Sequence, residues 1–115
     1  MTRMIGQDQQ PTVSVGFDGV IHKFSKGWQD GSIYDEPMPG ARKAIKQMIK
    51  EGLNVVVSTC REVETVKRWL SKQGFSDIEV TNSKPCAIAY IDDRAVKFET
   101  WATALRAVRE AAKIK

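Results

Sequence analysis

Asn54-Val55-Val56-Val57-Ser58 is an apolar run with no polar face, the pattern of a strand covered on both sides. Helical periodicity flanks it. Before it, Pro39-Gly40 opens a helix running to Glu51, with Ala44, Ile45, Met48 and Ile49 on one face and Gly52 as its stop. After it, Glu62 to Gln73 places Val63, Val66, Trp69 and Leu70 on one stripe and ends at Gly74. A covered strand between two amphipathic helices restricts the chain to α/β architectures. The remaining segments agree. Thr12 to Phe17 alternates as a strand, Ile78–Thr81 and Ala87–Ile91 form two more, and a last helix from Thr100 aligns Trp101, Leu105 and Val108. The order strand, helix, strand, helix, strand, strand, helix predicts a three-layer, Rossmann-like parallel sheet with helices on both faces. Trp69 and Trp101 are both expected in the core.

A chain of 115 residues is one domain, 1–115, with no substantial cap. Residues 1–11 are expected to be a flexible polar lead-in, and 19–39, rich in glycine and without helical period, a functional loop or flap. No apolar run is long enough for a membrane span, and the start has no signal-peptide pattern. Two cysteines, Cys60 and Cys86, make neither a disulfide framework nor a CxxC pair; both are expected to be buried thiols in a cytoplasmic protein. The formal charge of +4 comes from basic residues spread over three amphipathic helices, a pattern of solvated faces rather than of a nucleic-acid surface. Its modest positive field favours a phosphorylated ligand.

Parallel α/β sheets bind ligands outside the carboxyl ends of their strands. Asp18 follows the first strand, and Ser58, Thr59 and Arg61 the second. Asn82 and Lys84 follow the third, and Asp92, Asp93 and Arg94 the fourth. Carboxylates converging from two strand ends need a cation or proton between them, and hard oxygen donors suit Mg²⁺. A lysine supplies positive charge, and hydroxyls with backbone N–H groups form a phosphate cradle. Such a set suits phosphoryl transfer, in which positioning and charge neutralisation carry most of the catalysis. Singly, each member has a plainer role. Asp92-Asp93 is also a strand-end turn, Lys84 before Pro85 a surface lysine, and Thr59 a helix cap three residues before Glu62. Trp28 either covers part of a ligand or anchors its own loop.

Four segments carry a resemblance: Val13-Ser14-Val15-Gly16-Phe17-Asp18-Gly19-Val20-Ile21, Val55-Val56-Val57-Ser58-Thr59-Cys60-Arg61, Asn82-Ser83-Lys84-Pro85 and Tyr90-Ile91-Asp92-Asp93-Arg94-Ala95. In this order they resemble the motifs of the haloacid dehalogenase-like (HAD) phosphatases, nearest to small capless members of phage and bacteria, over residues 12–105. The resemblance implies Asp18 as general acid/base, Thr59 or Ser58 holding the phosphoryl group, and Lys84 stabilising the charged intermediate. It also implies Mg²⁺ on Asp92, Asp93 and the backbone carbonyl of Asp18, with Gly19, His22, Ser58 and Arg61 on the substrate side. One position departs. Where the family has its nucleophilic, metal-ligating Asp, this chain has Gly16, which can neither attack phosphorus nor bind a cation.

Two expectations follow. One is a phosphohydrolase for a small phosphomonoester, inactive or severely impaired at its nucleophile. The other is a catalytically dead module that binds a phosphorylated ligand or a protein. With no cap, recognition falls to the 19–39 loop or to the second subunit of a homodimer. A receiver domain is excluded because its acid pair would come first in the chain, and a dinucleotide-binding domain because no Gly-rich fingerprint follows the first strand.

Overall fold

The computed structural model describes residues 10–75, 77–95 and 97–113. Most of the lead-in expected over 1–11 lies outside them. The elements run β1 (Thr12–Gly16), α1 (Ala41–Lys50), β2 (Asn54–Ser58), α2 (Val63–Lys72), β3 (Glu79–Thr81), β4 (Ala89–Ile91) and α3 (Trp101–Lys113). The four strands form one all-parallel sheet in the order β3-β2-β1-β4. The α/β class and the parallel sheet are those the periodicity predicts. No described helix is long and apolar enough to cross a membrane.

Register sorts the side chains. Val13 pairs with Val55, and Val15 with Val57, which pairs with Val80, so these five share one face. They join Ile45 of α1 and Val66, Trp69 and Leu70 of α2 in a single core cluster, which puts both helices on that face. Each of these side chains, fully buried, contributes about 1.5–3 kcal/mol. Val57 and Val66 are wholly inaccessible, and Val56, on the opposite face of β2, is also buried.

Three expectations about burial are corrected. In α1 only Ile45 is buried; Ala44 and Ile49 are exposed, because the face turned to the sheet is narrower than its apolar stripe. Trp101 is 72% exposed, and Leu105 and Val108 are exposed beside it. An apolar stripe is buried only when another element meets it, and among the described residues α3 makes no close backbone contact with a strand or helix. Cys60 and Cys86 are exposed, since both lie in the connections that follow strands rather than within the sheet. The basic residues of α1 and α2 are solvent-exposed, as expected.

Residues 19–39 contain no helix and fold back as a flap. His22 bridges Pro37, the Lys23 N–H donates to the Glu36 carbonyl at 3.0 Å, and the Met38 N–H to that of Ile21 at 2.7 Å. At its tip Asp35 accepts from the Ser25 hydroxyl at 2.6 Å and the Ser25 N–H at 3.0 Å. These bonds bring the Asp35 carboxyl down to about 2.

Candidate functional site

The ends of all four strands and the flap line one open cavity of about 390 Å³. Parallel strands end at the same edge of the sheet, so residues far apart in sequence arrive together. Gly16 and Asp18 come from β1, Ser58, Thr59 and Arg61 from β2, Lys84 from the β3 end, and Asp92 and Asp93 from the β4 end. Phe24 and Trp28 of the flap complete the wall.

Beyond β1 the chain tightens at once. The Phe17 carbonyl accepts the N–H groups of Val20, Ile21 and His22 at 3.2, 2.9 and 2.9 Å. Phe17 turns inward at 1% exposure and meets Trp69 edge-on, which directs Asp18 to the cavity. Arg61 Nε donates to both Asp18 oxygens, at 3.2 and 2.9 Å, while His22 Nδ1 lies 2.8 Å from Oδ1. His22 Nε2 accepts the Asp35 N–H at 3.1 Å, so the ring proton sits on Nδ1 and is donated to Asp18. Asp18 thus enters the site as an oriented carboxylate, with Oδ2 engaged by Arg61 alone among the described residues.

His22, expected on the substrate side, is fully buried among Phe17, Phe24, Tyr34 and Trp69, and both its nitrogens are bonded within the protein. It positions Asp18 and has no face on the cavity. Gly19, also expected there, has its N–H bonded to the His22 carbonyl at 2.8 Å. Its φ is +85°, and a Cβ there would lie 2.0 Å from the nearer Asp93 oxygen. Glycine is what lets the β4-end carboxylate approach the β1 loop.

Arg61 is the knot of the site. Its side chain is 5% exposed, its Nη1 donates to the Gly31 carbonyl at 2.8 Å, and its guanidinium lies over the Trp28 ring at 4.8 Å. Nε and one N–H of Nη1 are committed and Nη2 has no bonded partner among the described residues, so the guanidinium keeps N–H donors for a ligand on both Nη atoms. The Arg61 N–H donates to Thr59 Oγ1 at 3.1 Å, and Asn82 Nδ2 bridges the Thr59 and Arg61 carbonyls at 2.8 Å each. Asn82 therefore clamps the β2 end to the β3 end. Its place in Asn82-Ser83-Lys84-Pro85 was visible in the sequence, but its two acceptors were not.

Ser58 shares a 2.8 Å hydrogen bond with the buried Ser14, one step below Gly16 in the register. Lys84 Nζ stands 3.9 Å from Asp92 Oδ2, an ion pair rather than a hydrogen bond, and 5.0 Å from the Tyr90 ring centre. The Tyr90 hydroxyl donates to the Pro85 carbonyl at 2.6 Å and holds the lysine's loop. Asp92 Oδ1 accepts the Arg94 N–H at 2.9 Å, which makes Asp92-Asp93 a strand-end turn as well as a pair of cavity carboxylates.

Gly16 differs from Gly19. It is not among the residues with positive φ, and a Cβ built on it would meet the Ile91 carbonyl oxygen at 3.3 Å and Val20 Cγ2 at 3.6 Å. Backbone φ does not demand glycine here, and a Cβ requires the Ile91 carbonyl to give by a few tenths of an ångström. Comparison with protein-family models, curated proteins and solved structures found no match to this chain.

Proposed function

We propose that the cavity binds the phosphate of a small phosphomonoester in a HAD-like phosphohydrolase frame whose covalent route is closed at Gly16. The observation that carries this reading is the meeting, on one cavity, of carboxylates, a lysine and a hydroxyl from four separate strand ends. Singly, Asp18, Thr59 and Asp92 each have a structural contact, and the reading rests on their convergence.

Thr59 and the loop N–H groups would receive phosphate oxygens, with Lys84 opposite as a point charge. Asp92 and Asp93 fit the demand of Mg²⁺ for one or two carboxylates with water completing its shell, and Gly16 offers no further ligand. The cation would neutralise phosphate charge. Asp18, held by Arg61 and His22, is oriented to exchange a proton with the leaving alcohol. The glycine at position 16 cannot attack phosphorus, so turnover by the protein as it stands is expected to be very low. Gly16 itself favours a second reading, a binding module that holds the phosphorylated ligand without consuming it.

The test is Mg²⁺-dependent hydrolysis of an aryl phosphate by this protein and by Gly16→Asp, with calorimetric binding of inorganic phosphate to both. In the variant, the new carboxylate would bond to phosphorus as the P–O bond to the aryl group breaks, and the phenolate leaves and takes its proton from solvent. Water would then cleave the acyl phosphate. The variant is expected to exceed the parent by at least about 10³-fold, given what loss of a nucleophile costs. Equal turnover by both would refute the assignment of position 16, and absence of phosphate binding by both would refute the site.

A further inference from the structure

Trp28 is the exception to the flap's inward packing. Phe24 and Tyr34 gather around the buried His22, whereas Trp28 is 63% exposed at the cavity wall. Its position is nonetheless held. The Arg61 guanidinium lies against the ring at 4.8 Å, and Gly31 lies beside it with room for no more than a Cβ in ordinary contact, 3.5 Å from the indole. Arg61 is in turn fixed by Asp18 and the Gly31 carbonyl. An exposed indole costs hydration free energy, so a rigid one at a cavity rim is a surface prepared for a flat apolar partner.

From this we infer that Trp28 is a stacking platform, and that the ligand is a phosphomonoester carrying a planar aromatic or heterocyclic ring. The inference rests on the phosphate-binding reading and names the substrate class of that site. Asp18 and Trp28 flank the same guanidinium, so a phosphate among the strand ends leaves its alcohol portion directed toward the indole. A cavity of about 390 Å³ takes a phosphoryl group and one ring system. A linear alcohol phosphate would fill the phosphate end and leave the indole wet.

The experiment is calorimetric binding of inorganic phosphate, glycerol phosphate, phenyl phosphate and a nucleoside 5′-monophosphate to the full chain with Mg²⁺. The same series is run on Trp28→Ala, Trp28→Leu and Trp101→Ala. Leucine keeps apolar bulk over Arg61 but removes the π face; Trp101 is an exposed tryptophan that does not line the cavity. The expected result is roughly tenfold or greater preference for both ring phosphates over glycerol phosphate, lost in both Trp28 variants and kept in Trp101→Ala. The tighter of the two ring phosphates tells whether the ring joins phosphate directly or through a sugar. Equal affinity for ring and glycerol phosphates, or a preference that survives Trp28→Ala, overturns the platform while inorganic phosphate binding leaves the site standing. No binding of any phosphate overturns the site and the platform together.

Discussion

Gly19 offers the most exacting test of how the β4 end meets the β1 loop. Two separate costs attach to Gly19→Ala. Its φ of +85° puts alanine in a left-handed conformation, worth about 1–2 kcal/mol. Reduced freedom of the unfolded chain returns about 0.4–1 kcal/mol of this, for a net of about 1 kcal/mol. The second cost is local. The new Cβ would sit 2.0 Å from the nearer Asp93 oxygen and 2.7 Å from Cγ, so the carboxylate must swing off its rotamer for about another 1 kcal/mol. Gly27 isolates the first cost, because its φ is +68° and a Cβ there meets nothing within 4 Å. Urea denaturation should therefore give a loss of about 2 kcal/mol for Gly19→Ala and about 1 kcal/mol for Gly27→Ala. In an Asp93→Ala background, which keeps only a Cβ at 3.4 Å, Gly19→Ala should fall to the Gly27 value. The cycle would then show about 1 kcal/mol of coupling between positions 19 and 93. Coupling indistinguishable from zero would refute the close approach and, with it, the placement of Asp93 beside the first-strand loop.

Two further outcomes follow from burial and charge. Leu70→Ala, at 3% exposure in the core cluster, should cost about 2–5 kcal/mol, whereas Leu105→Ala, 47% exposed on α3, should stay within about 0.5 kcal/mol; comparable losses in denaturation would mean that α3 has a packed partner. The Asp35 carboxyl is lowered to about 2, chiefly by the Ser25 hydroxyl and then the Ser25 N–H. A lowered carboxylate stabilises above its ordinary value of about 4 and loses that contribution as pH falls through about 2. NMR titration should therefore find the Ser25–Asp35 tie intact at pH 3 and Asp35 shifted upward in Ser25→Ala; an unshifted Asp35 in that variant would contradict the assigned cause.

The sequence by itself determined most of the secondary structure and the chemistry at the sheet edge. Val55-Val56-Val57 marks a covered strand because all three side chains are apolar on both faces of a period-two element, and β2 spans Asn54–Ser58 as read. Helix stops at Gly52 and Gly74 were legible because both have positive φ. Asp18, Thr59, Lys84 and the Asp92-Asp93 pair were foreseeable at one cavity because parallel topology alone sends strand termini to the same edge. What the tertiary structure decided is the partner of each group. Periodicity gives a helix an apolar stripe but not the element that covers it, so Trp69 is buried and Trp101 is not. Spacing puts His22, and parallel topology puts Arg61, near Asp18, but only the folded chain commits Nδ1 and Nε to that carboxylate, Nε2 to the flap, and the guanidinium to Trp28. Such contacts join residues up to 43 positions apart, and their geometry depends on distances that no local pattern encodes.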